Sequence, residues 1–234
     1  SDDPQLGTWL WADYAWELTP MPQGLTAEPP AVDLLLPHLT PQHRVLDLGC
    51  GAGGSTLALA SHAGYVLGVE LRHGRVDAAQ QMRRTGKVTF DLATVVGHAQ
   101  PATPERPQAL ELATRYDIVV GDALDPPLPG GDWDAVYIGA VYDVVRDPML
   151  LLAQATALLR PGGLLLVTTP YQFTSANDLR PGDPAMDLRL TLGSGELGAQ
   201  YEPVDQSERL WVLRDNHYRF FCYRLDCVLA RLRA

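Results

Sequence analysis

The chain has 234 residues, of which 46% are hydrophobic, so it is long enough for one domain with a substantial core. Its formal net charge of −10 provides no overall positive field to attract phosphodiester backbones, and a nucleic-acid partner is not expected. The three cysteines form no C-x-x-C pair and the histidines show no metal spacing, so neither a disulfide framework nor a bound metal is expected.

The sequence carries no sign of export or membrane insertion. It starts with SDDPQLGTWLW, which lacks the basic and apolar regions of a signal peptide, and no window approaches about 18 uncharged apolar residues. We therefore expect a soluble, cytoplasmic protein without a membrane partner, a removed leader being the alternative. A monomer or a homodimer is expected.

The order of the predicted elements indicates a parallel sheet covered by helices on both faces. Residues 1–43 contain spaced tryptophans and the pattern AVDLLLPHL, which predict short helices that pack as a lid on a core formed later in the chain. Strands then alternate with helices, as in βαβ units. The first predicted core elements are strand 44–49, helix 54–63, strand 65–71 and helix 73–86.

The same alternation resumes after an insertion near 88–115, where β-rich runs flank a Pro-rich loop and predict a hairpin. Asp147 as N-cap and Pro148 as first helical residue open a helix that stops at Pro161-Gly162-Gly163. Further predicted strands are 116–122, 133–139 and 164–170, followed by an antiparallel hairpin of 208–216 and 218–232 around Asn216. We expect one domain over 1–234, with lid 1–43, core 44–170 and covering segment 171–234.

The run VLDLGCGAGG, residues 45–54, ends a strand in closely spaced glycines and opens a helix. Gly49, Gly51 and Gly53 lack Cβ atoms, so the backbone can turn tightly and approach a nucleotide-like ligand. A dinucleotide, a sulfonium cofactor and a turn required only for packing all fit this pattern taken alone.

Three acidic residues near the ends of predicted strands favour a sulfonium cofactor among these three possibilities. Asp47 precedes the glycines, where it favours the ammonium of S-adenosylmethionine (SAM) over the pyrophosphate of a dinucleotide. Glu70, with Leu71 beside it, ends the next strand at the position of a ribose ligand in either cofactor fold. Asp122 and Ala123 follow a third strand, where a carboxylate and a backbone N–H can read the edge of adenine.

The runs VLDLGCGAGG, GVEL, GDALD, WDAVYIG and LLRPGGLLLV together resemble class I SAM-dependent methyltransferases over residues 44–168. The resemblance implies an α/β, Rossmann-like fold with a mostly parallel seven-stranded sheet, an antiparallel C-terminal hairpin and helices on both faces. It also implies SAM as cofactor, S-adenosylhomocysteine (SAH) as product, and Gly139 as a further cofactor-binding residue.

More narrowly, the chain resembles the methyltransferase domain of ovothiol-forming enzymes, which methylates an imidazole nitrogen of thiohistidine. It rests on the N-terminal segment with Tyr14, the insertion after the second helix, RDP at 146–148, TTPY at 168–171 and the ending LWVLRDNHYRFFCYRLDCVLAR. The run after Tyr171 departs from that family, and its sulfoxide synthase domain is not within these residues. The acceptor is therefore open between thiohistidine and another histidine-like or azole metabolite.

The acceptor site is expected beyond the carboxyl ends of the strands. Tyr142, Asp143 and His217 are the catalytic candidates, with Asp143 accepting from an azole N–H or an ammonium. The predicted substrate ligands are Tyr14, Tyr171 and Arg219, the last as a carboxylate clamp. Each has a simpler reading, such as a solvated hairpin tip for His217 and a cap of VVRDP for Asp143. The functional alternatives are an O-methyltransferase with His217 as base and a non-catalytic SAM-binding subunit.

Overall fold

The computed structural model describes residues 3, 5–18, 21, 30–95, 97–177, 179–180 and 182–234. Most of the turn-rich predicted segment 19–30 lies outside the described residues. The α-helices are α1 (Leu6–Leu10), α2 (Gly54–Ala60), α3 (His73–Thr85), α4 (Pro107–Glu111), α5 (Pro148–Leu158), α6 (Leu188–Gly193) and α7 (Gly195–Gly198). Trp11–Ala15 continue α1 as a π-helical turn, and short 3-10 turns lie at Trp16–Leu18, Val32–Leu34, Leu36–His38 and Pro184–Met186.

Nine strands of the described ranges form two sheets. They are β1 (Arg44–Leu48), β2 (Tyr65–Glu70), β3 (Phe90–Val95), β4 (His98–Ala102), β5 (Tyr116–Val120), β6 (Trp133–Gly139), β7 (Leu159–Thr169), β8 (Tyr201–Asn216) and β9 (Arg219–Leu232). The large sheet has the order β5-β2-β1-β6-β7-β9-β8, parallel from β5 to β7, with β9 antiparallel to β7 and β8 antiparallel to β9. The predicted fold class, a mostly parallel seven-stranded sheet with a C-terminal hairpin, is confirmed.

The central strands bury side chains on both faces because helices cover both sides of the sheet. Successive residues of a strand point to opposite faces, so Val45 joins one apolar core and Leu46 the other. The core around Val45 includes the N-terminal helical segment, α2 and α3, whereas the core around Leu46 includes α5 and α6. No helix in the described ranges is both long enough and apolar enough to span a bilayer.

Several predicted boundaries are wrong. The run Pro161-Gly162-Gly163 does not separate helix from strand, because α5 ends at Leu158 and β7 starts at Leu159, opposite Trp133. The two glycines lie instead at an irregularity inside β7, where the register with β6 shifts. β8 begins at 201 rather than 208. The sequence did not indicate this earlier start because the first half of β8 is an exposed edge whose polar residues show no alternation with apolar ones. Helices α4, α6 and α7 were not predicted.

Three parts of the chain meet beyond the carboxyl ends of the parallel strands. Pairing of β7 with β9 stops at Thr169 and Asp226, so the tip of the β8–β9 hairpin projects past the sheet. The predicted insertion hairpin is β3 and β4, and the backbone N–H of His217 at the tip donates to the Thr94 carbonyl across 3.1 Å. Trp11, in the N-terminal helical segment, packs edge-on to Phe220 of the tip. These contacts place the N-terminal segment, the insertion and the hairpin on the same side of the sheet.

Candidate cofactor and acceptor site

The glycine loop joins β1 to α2 and requires glycine at two points. Gly49 has φ +79°, and a Cβ there would collide with the side chain of Val141. Gly53 has φ +95°, and a Cβ there would lie 3.1 Å from the Tyr14 hydroxyl and 3.2 Å from the Ala79 Cβ. Gly51 also has a positive φ but has more space around it. The backbone of this loop is therefore close to its neighbours at Gly49 and Gly53.

Asp47, the last residue but one of β1, carries a buried carboxylate. Its Oδ2 accepts hydrogen bonds from Ser55 Oγ at 2.6 Å and from Thr56 Oγ1 at 2.8 Å. Among the described residues its buried Oδ1 has no hydrogen-bond partner. Burial raises the pKa of Asp47 to about 6 against the opposing effect of the two hydroxyls, and the charge of Glu70 raises it further. A cationic group beside the loop would satisfy Oδ1.

Glu70 closes the loop from the neighbouring strand. Its Oε2 accepts from the Gly51 N–H at 3.1 Å, and its Oε1 accepts from the Arg72 N–H at 2.8 Å. These bonds hold the carboxylate at the end of β2, within 4.0 Å of the Arg75 guanidinium. The next side chain, Leu71, is 59% exposed at the same edge, which suits contact with a flat apolar ligand surface.

The end of β5 carries the predicted adenine ligands. Asp122 Oδ1 accepts from the Leu124 N–H at 2.8 Å, forming a turn that orients the carboxylate, and Ala123 is buried beside it. Gly139 ends β6, and a Cβ there would overlap the ring of Tyr137. Because β5, β2, β1 and β6 are neighbours in the sheet, their predicted cofactor residues share its carboxyl edge. Individual roles of these residues stay predictions.

Asp13 is a site residue that sequence reasoning missed. It lies in the helical segment after α1, where its carboxylate packs on Gly54 at the start of α2. Its Oδ2 is buried and has no partner among the described residues. Burial raises the pKa of Asp13 to about 7, against hydrogen bonds from the backbone N–H groups of Gly54 and Ala52, while Asp47 raises it further. The only signal in the sequence is an acid inside the apolar run WLWADYAW.

Tyr14 fixes the N-terminal segment to the loop. Its buried hydroxyl donates to the Ala52 carbonyl across 2.7 Å. Below the segment lies a cavity of about 30 Å³, which holds a water-sized group but is far smaller than the pocket of a typical small-molecule ligand. Its lining comprises Trp9, Ala12, Asp13, Pro30, Gly49, Cys50, Gly51, Ser55, Tyr137, Gly139 and Trp211.

Three predicted acceptor residues make internal hydrogen bonds around the segment after β7. The buried Tyr142 hydroxyl donates to the Ala185 carbonyl at 2.6 Å, and burial raises its pKa to about 12. Asp143 is buried, accepts from the Gln172 N–H at 2.6 Å and has a pKa raised by burial. Tyr171 donates to Asp226 at 2.7 Å. None of the three lines the small cavity beside the glycine loop.

The other two predicted acceptor residues lie at the tip of the β8–β9 hairpin. The His217 ring packs edge-on to Tyr218, with centroids 4.7 Å apart. Arg219 is largely exposed and pairs with Asp215, its Nε 2.7 Å from Asp215 Oδ2. Neither side chain lines the small cavity. Their catalytic and substrate-binding roles therefore stay predictions without a described contact to the glycine loop.

A family model described as a methyltransferase domain matches residues 46–167, more than half of the chain. The chain belongs to this methyltransferase family. A 24-methylenesterol C-methyltransferase 2 from Oryza sativa subsp. japonica is 26% identical over 147 residues, 62% of this chain and 32% of that protein. A "Probable S-adenosylmethionine-dependent methyltransferase" from Mycolicibacterium smegmatis is 28% identical over 139 residues, 59% of this chain and 42% of its own length.

The chain thus spans less than half the length of these two relatives. A crystal structure of a SAM-dependent methyltransferase from Aquifex aeolicus superposes with a TM-score of 0.54 at 13% identity, covering 99% of this chain and 94% of that one. The family and fold are those of class I methyltransferases, whose cofactor is SAM. The predicted cofactor is thereby confirmed.

The residues present fit this cofactor. The unpaired Asp47 Oδ1 offers an acceptor to the ammonium, and glycines 49, 51 and 53 leave the loop backbone accessible. Glu70 and Asp122 stay the predicted ligands of the ribose hydroxyls and of the adenine amine. No three His, Cys, Asp or Glu side chains cluster as metal ligands in the part of the chain that the structure describes.

Proposed function

We propose that this methyltransferase domain methylates a neutral azole nitrogen of a small, histidine-like molecule. The observation that carries the proposal is the lining of the small cavity, which has aromatic walls from Trp9, Tyr137 and Trp211 and, among described residues, no histidine or lysine. A neutral azole nitrogen already has a lone pair and needs no base, whereas a hydroxyl must lose its proton. The resemblance to ovothiol-forming methyltransferases supports the same acceptor class.

The chain contributes to the reaction mainly by positioning. When bound, SAM supplies a methyl group made electrophilic by its sulfonium. Asp47 and Asp13 lie beside the glycine loop, each with one buried oxygen that has no partner among the described residues, which suits an ammonium, while Glu70 holds the ribose. The aromatic walls exclude water and hold a flat ring with its nitrogen in line with the methyl group. An indole face also favours positive charge developing on the acceptor ring.

The N-terminal segment must move for the acceptor to enter. The cavity beneath it is about 30 Å³, and the Tyr14 bond to Ala52 holds the segment on the loop. Typical small-molecule pockets have roughly ten times that volume. The segment is accordingly a lid whose displacement admits both ligands and whose return removes water.

A second candidate function is O-methylation, favoured by the pKa of Asp13. A carboxylate with a pKa of about 7 beside the cavity is suited to act as a base near neutral pH. Asp13→Asn, assayed at saturating SAM because Asp13 also faces the expected ammonium, separates the two candidates: it would abolish methylation of phenols while leaving the protonation state of a neutral azole unaffected.

The test is a SAM-consumption assay with mass detection of the product. Purified protein is offered 5-thiohistidine, histidine, substituted imidazoles and substituted phenols, and each product is fragmented to locate the added methyl. The expected result is one methyl on a ring nitrogen. If SAH binds tightly but only phenols are methylated, or only carbon is, the azole assignment is wrong and the family assignment stands.

A further inference from the structure

A second, larger cavity lies between α1, β3 and the projecting tip of the β8–β9 hairpin. Its volume is about 300 Å³, at the lower end of the range for small-molecule sites. Trp9 borders both this cavity and the smaller one beside the glycine loop, so the two are neighbours. The lining comprises Gln5, Gly7, Thr8, Trp9, Trp11, Asp91, Leu92, Ala93, Leu213, Arg214, Asp215, Phe221 and Tyr223.

Arg214 is a buried cation in this lining that forms no ion pair with any described residue. Only 2% of its surface is exposed, and its Nη2 donates to the Ala93 carbonyl at 2.9 Å. Its Nε and Nη1 are buried and have no hydrogen-bond partner among the described residues. Burial lowers the pKa of Arg214, yet a guanidinium stays protonated in proteins. The acids in the same lining do not neutralise it, because Asp215 pairs with Arg219 and Asp91 forms no described ion pair.

A second unpaired donor borders the same cavity. The Trp9 Nε1 is buried without a partner among the described residues. Indole and guanidinium N–H groups can only donate, so both require an acceptor from outside the described chain. Buried donors are almost always satisfied in native proteins, and a buried charge is usually paired. Two such donors on one cavity therefore indicate a ligand with acceptor atoms and negative charge.

We propose that Arg214 binds the carboxylate of the methyl acceptor, with the acceptor ring against the Trp9 indole that borders both cavities. This rests on the proposed function for the identity of the ligand as the acceptor. Aromatic side chains from α1 and β9 line the cavity, which suits a flat ring attached to the anionic group. Arg219, which the sequence predicts to bind the carboxylate, is exposed and already paired with Asp215. Water therefore screens its charge, and its attraction for a carboxylate is weak.

The experiment compares two probes that differ only in charge, imidazole-4-acetate and imidazole-4-acetamide. Binding to the full chain is measured by ligand-observed NMR with and without SAH, at millimolar concentration. Wild type is expected to favour the carboxylate by about tenfold or more, the scale of one charged hydrogen bond. Arg214→Met should remove that preference, and Arg214→Lys should retain part of it. The matched control is Arg224→Gln, an exposed arginine on β9 outside both cavities, which should keep the full preference.

The outcomes separate this inference from the proposed function. A carboxylate preference that survives Arg214→Met, or absence of carboxylate binding to wild type, overturns the Arg214 site. Should Arg214→Met fail to fold, Arg214→Gln provides the same comparison with a polar side chain. Tighter binding of phenyl phosphate than of phenylacetate would show that the anion bound by Arg214 is a phosphate, and would overturn its assignment as a carboxylate. An Arg214-dependent preference without methyl transfer to any azole would instead contradict the proposed function and leave the anion site standing.

Discussion

The cofactor half and the acceptor half of this molecule are built in different ways. The cofactor half uses short motifs at the ends of neighbouring strands, so Asp47, Glu70 and Asp122 are each recognisable within a few residues. The proposed acceptor half combines the N-terminal segment, the insertion hairpin and the C-terminal hairpin, which are distant in sequence. The contrast explains why the family is readable from local sequence whereas the acceptor depends on packing between segments.

Gly53→Val should produce the largest effect and act on both halves at once. A branched side chain at φ +95° would strain the loop and push on the Tyr14 hydroxyl and Ala79. The free energy of unfolding should fall by about 3 kcal/mol, and SAH binding should be lost. Chemical denaturation measures the free energy of unfolding, and titration calorimetry measures SAH binding. Gly193→Ala is the control, since nothing lies within 4 Å of a Cβ there; equal behaviour of both variants would refute the packing argument.

The affinity for SAM should rise with pH. This rise tests whether Asp13 of the proposed lid and Asp47 beside the glycine loop both bind the SAM ammonium. The pKa values of Asp47 and Asp13 are raised to about 6 and about 7, and only ionised carboxylates attract a cation. Affinity should increase by about tenfold or more between about pH 5 and pH 7.5, before the ammonium itself deprotonates. Isothermal titration at several pH values checks this, and Asp13→Asn should remove the upper part of the increase. A flat profile would rule out both carboxylates as ammonium ligands.

The same shifts predict the opposite trend for stability without ligand. Both folded-state pKa values exceed the ordinary value of 3.8, so the folded protein retains protons that the unfolded chain releases. The free energy of unfolding should therefore be largest below about pH 4 for these two groups and decline as pH rises through about 6 and 7. Denaturation of Asp13→Asn and wild type across this range isolates the contribution of Asp13. A difference between them that does not change with pH would contradict the assignment.

Asp122→Ala tests the cofactor half alone. Loss of a charged hydrogen-bond partner should weaken SAM binding by about 1 to 3 kcal/mol. The nearby Asp125→Ala, which leaves Asp122 and its turn in place, should bind SAM as wild type does. Calorimetric titration decides, and unchanged affinity in Asp122→Ala would remove the adenine assignment.

Tyr14→Phe should have the smallest effect and act on the lid. It removes the hydroxyl that donates to the Ala52 carbonyl, at an expected cost of about 1 kcal/mol in the free energy of unfolding. Hydrogen exchange at the N-terminal segment should speed up while the sheet is unaffected. Tyr218→Phe, at an exposed hairpin position, serves as the reference. Unaltered exchange near Tyr14 would show that the bond does not hold the lid.

Local sequence is sufficient to predict a feature that depends only on residues of the same helix or strand. Asp147 was predicted as an N-cap, and its Oδ1 accepts from the Leu150 N–H at 2.9 Å. The boundary at Leu159 was missed because a Pro-Gly-Gly run usually ends regular structure, whereas here β6 pairs on both sides of it. Asp13 and Arg214 were missed because nothing in their immediate neighbours indicates a buried, unpaired charge.

The sequence by itself determined the alternation of strands and helices, the glycine loop and the acids that accompany it. Those features depend on periodicity and backbone conformation, which neighbouring residues control. The packing of distant segments establishes which charges are buried without a partner among the described residues and which cavities they border. Burial depends on segments that are far apart in the chain: the π-helical turn after α1 packs over the glycine loop, and β3 lies against the tip of the C-terminal hairpin. For that reason Arg214, and not the neighbouring Arg219, emerges as the desolvated cation.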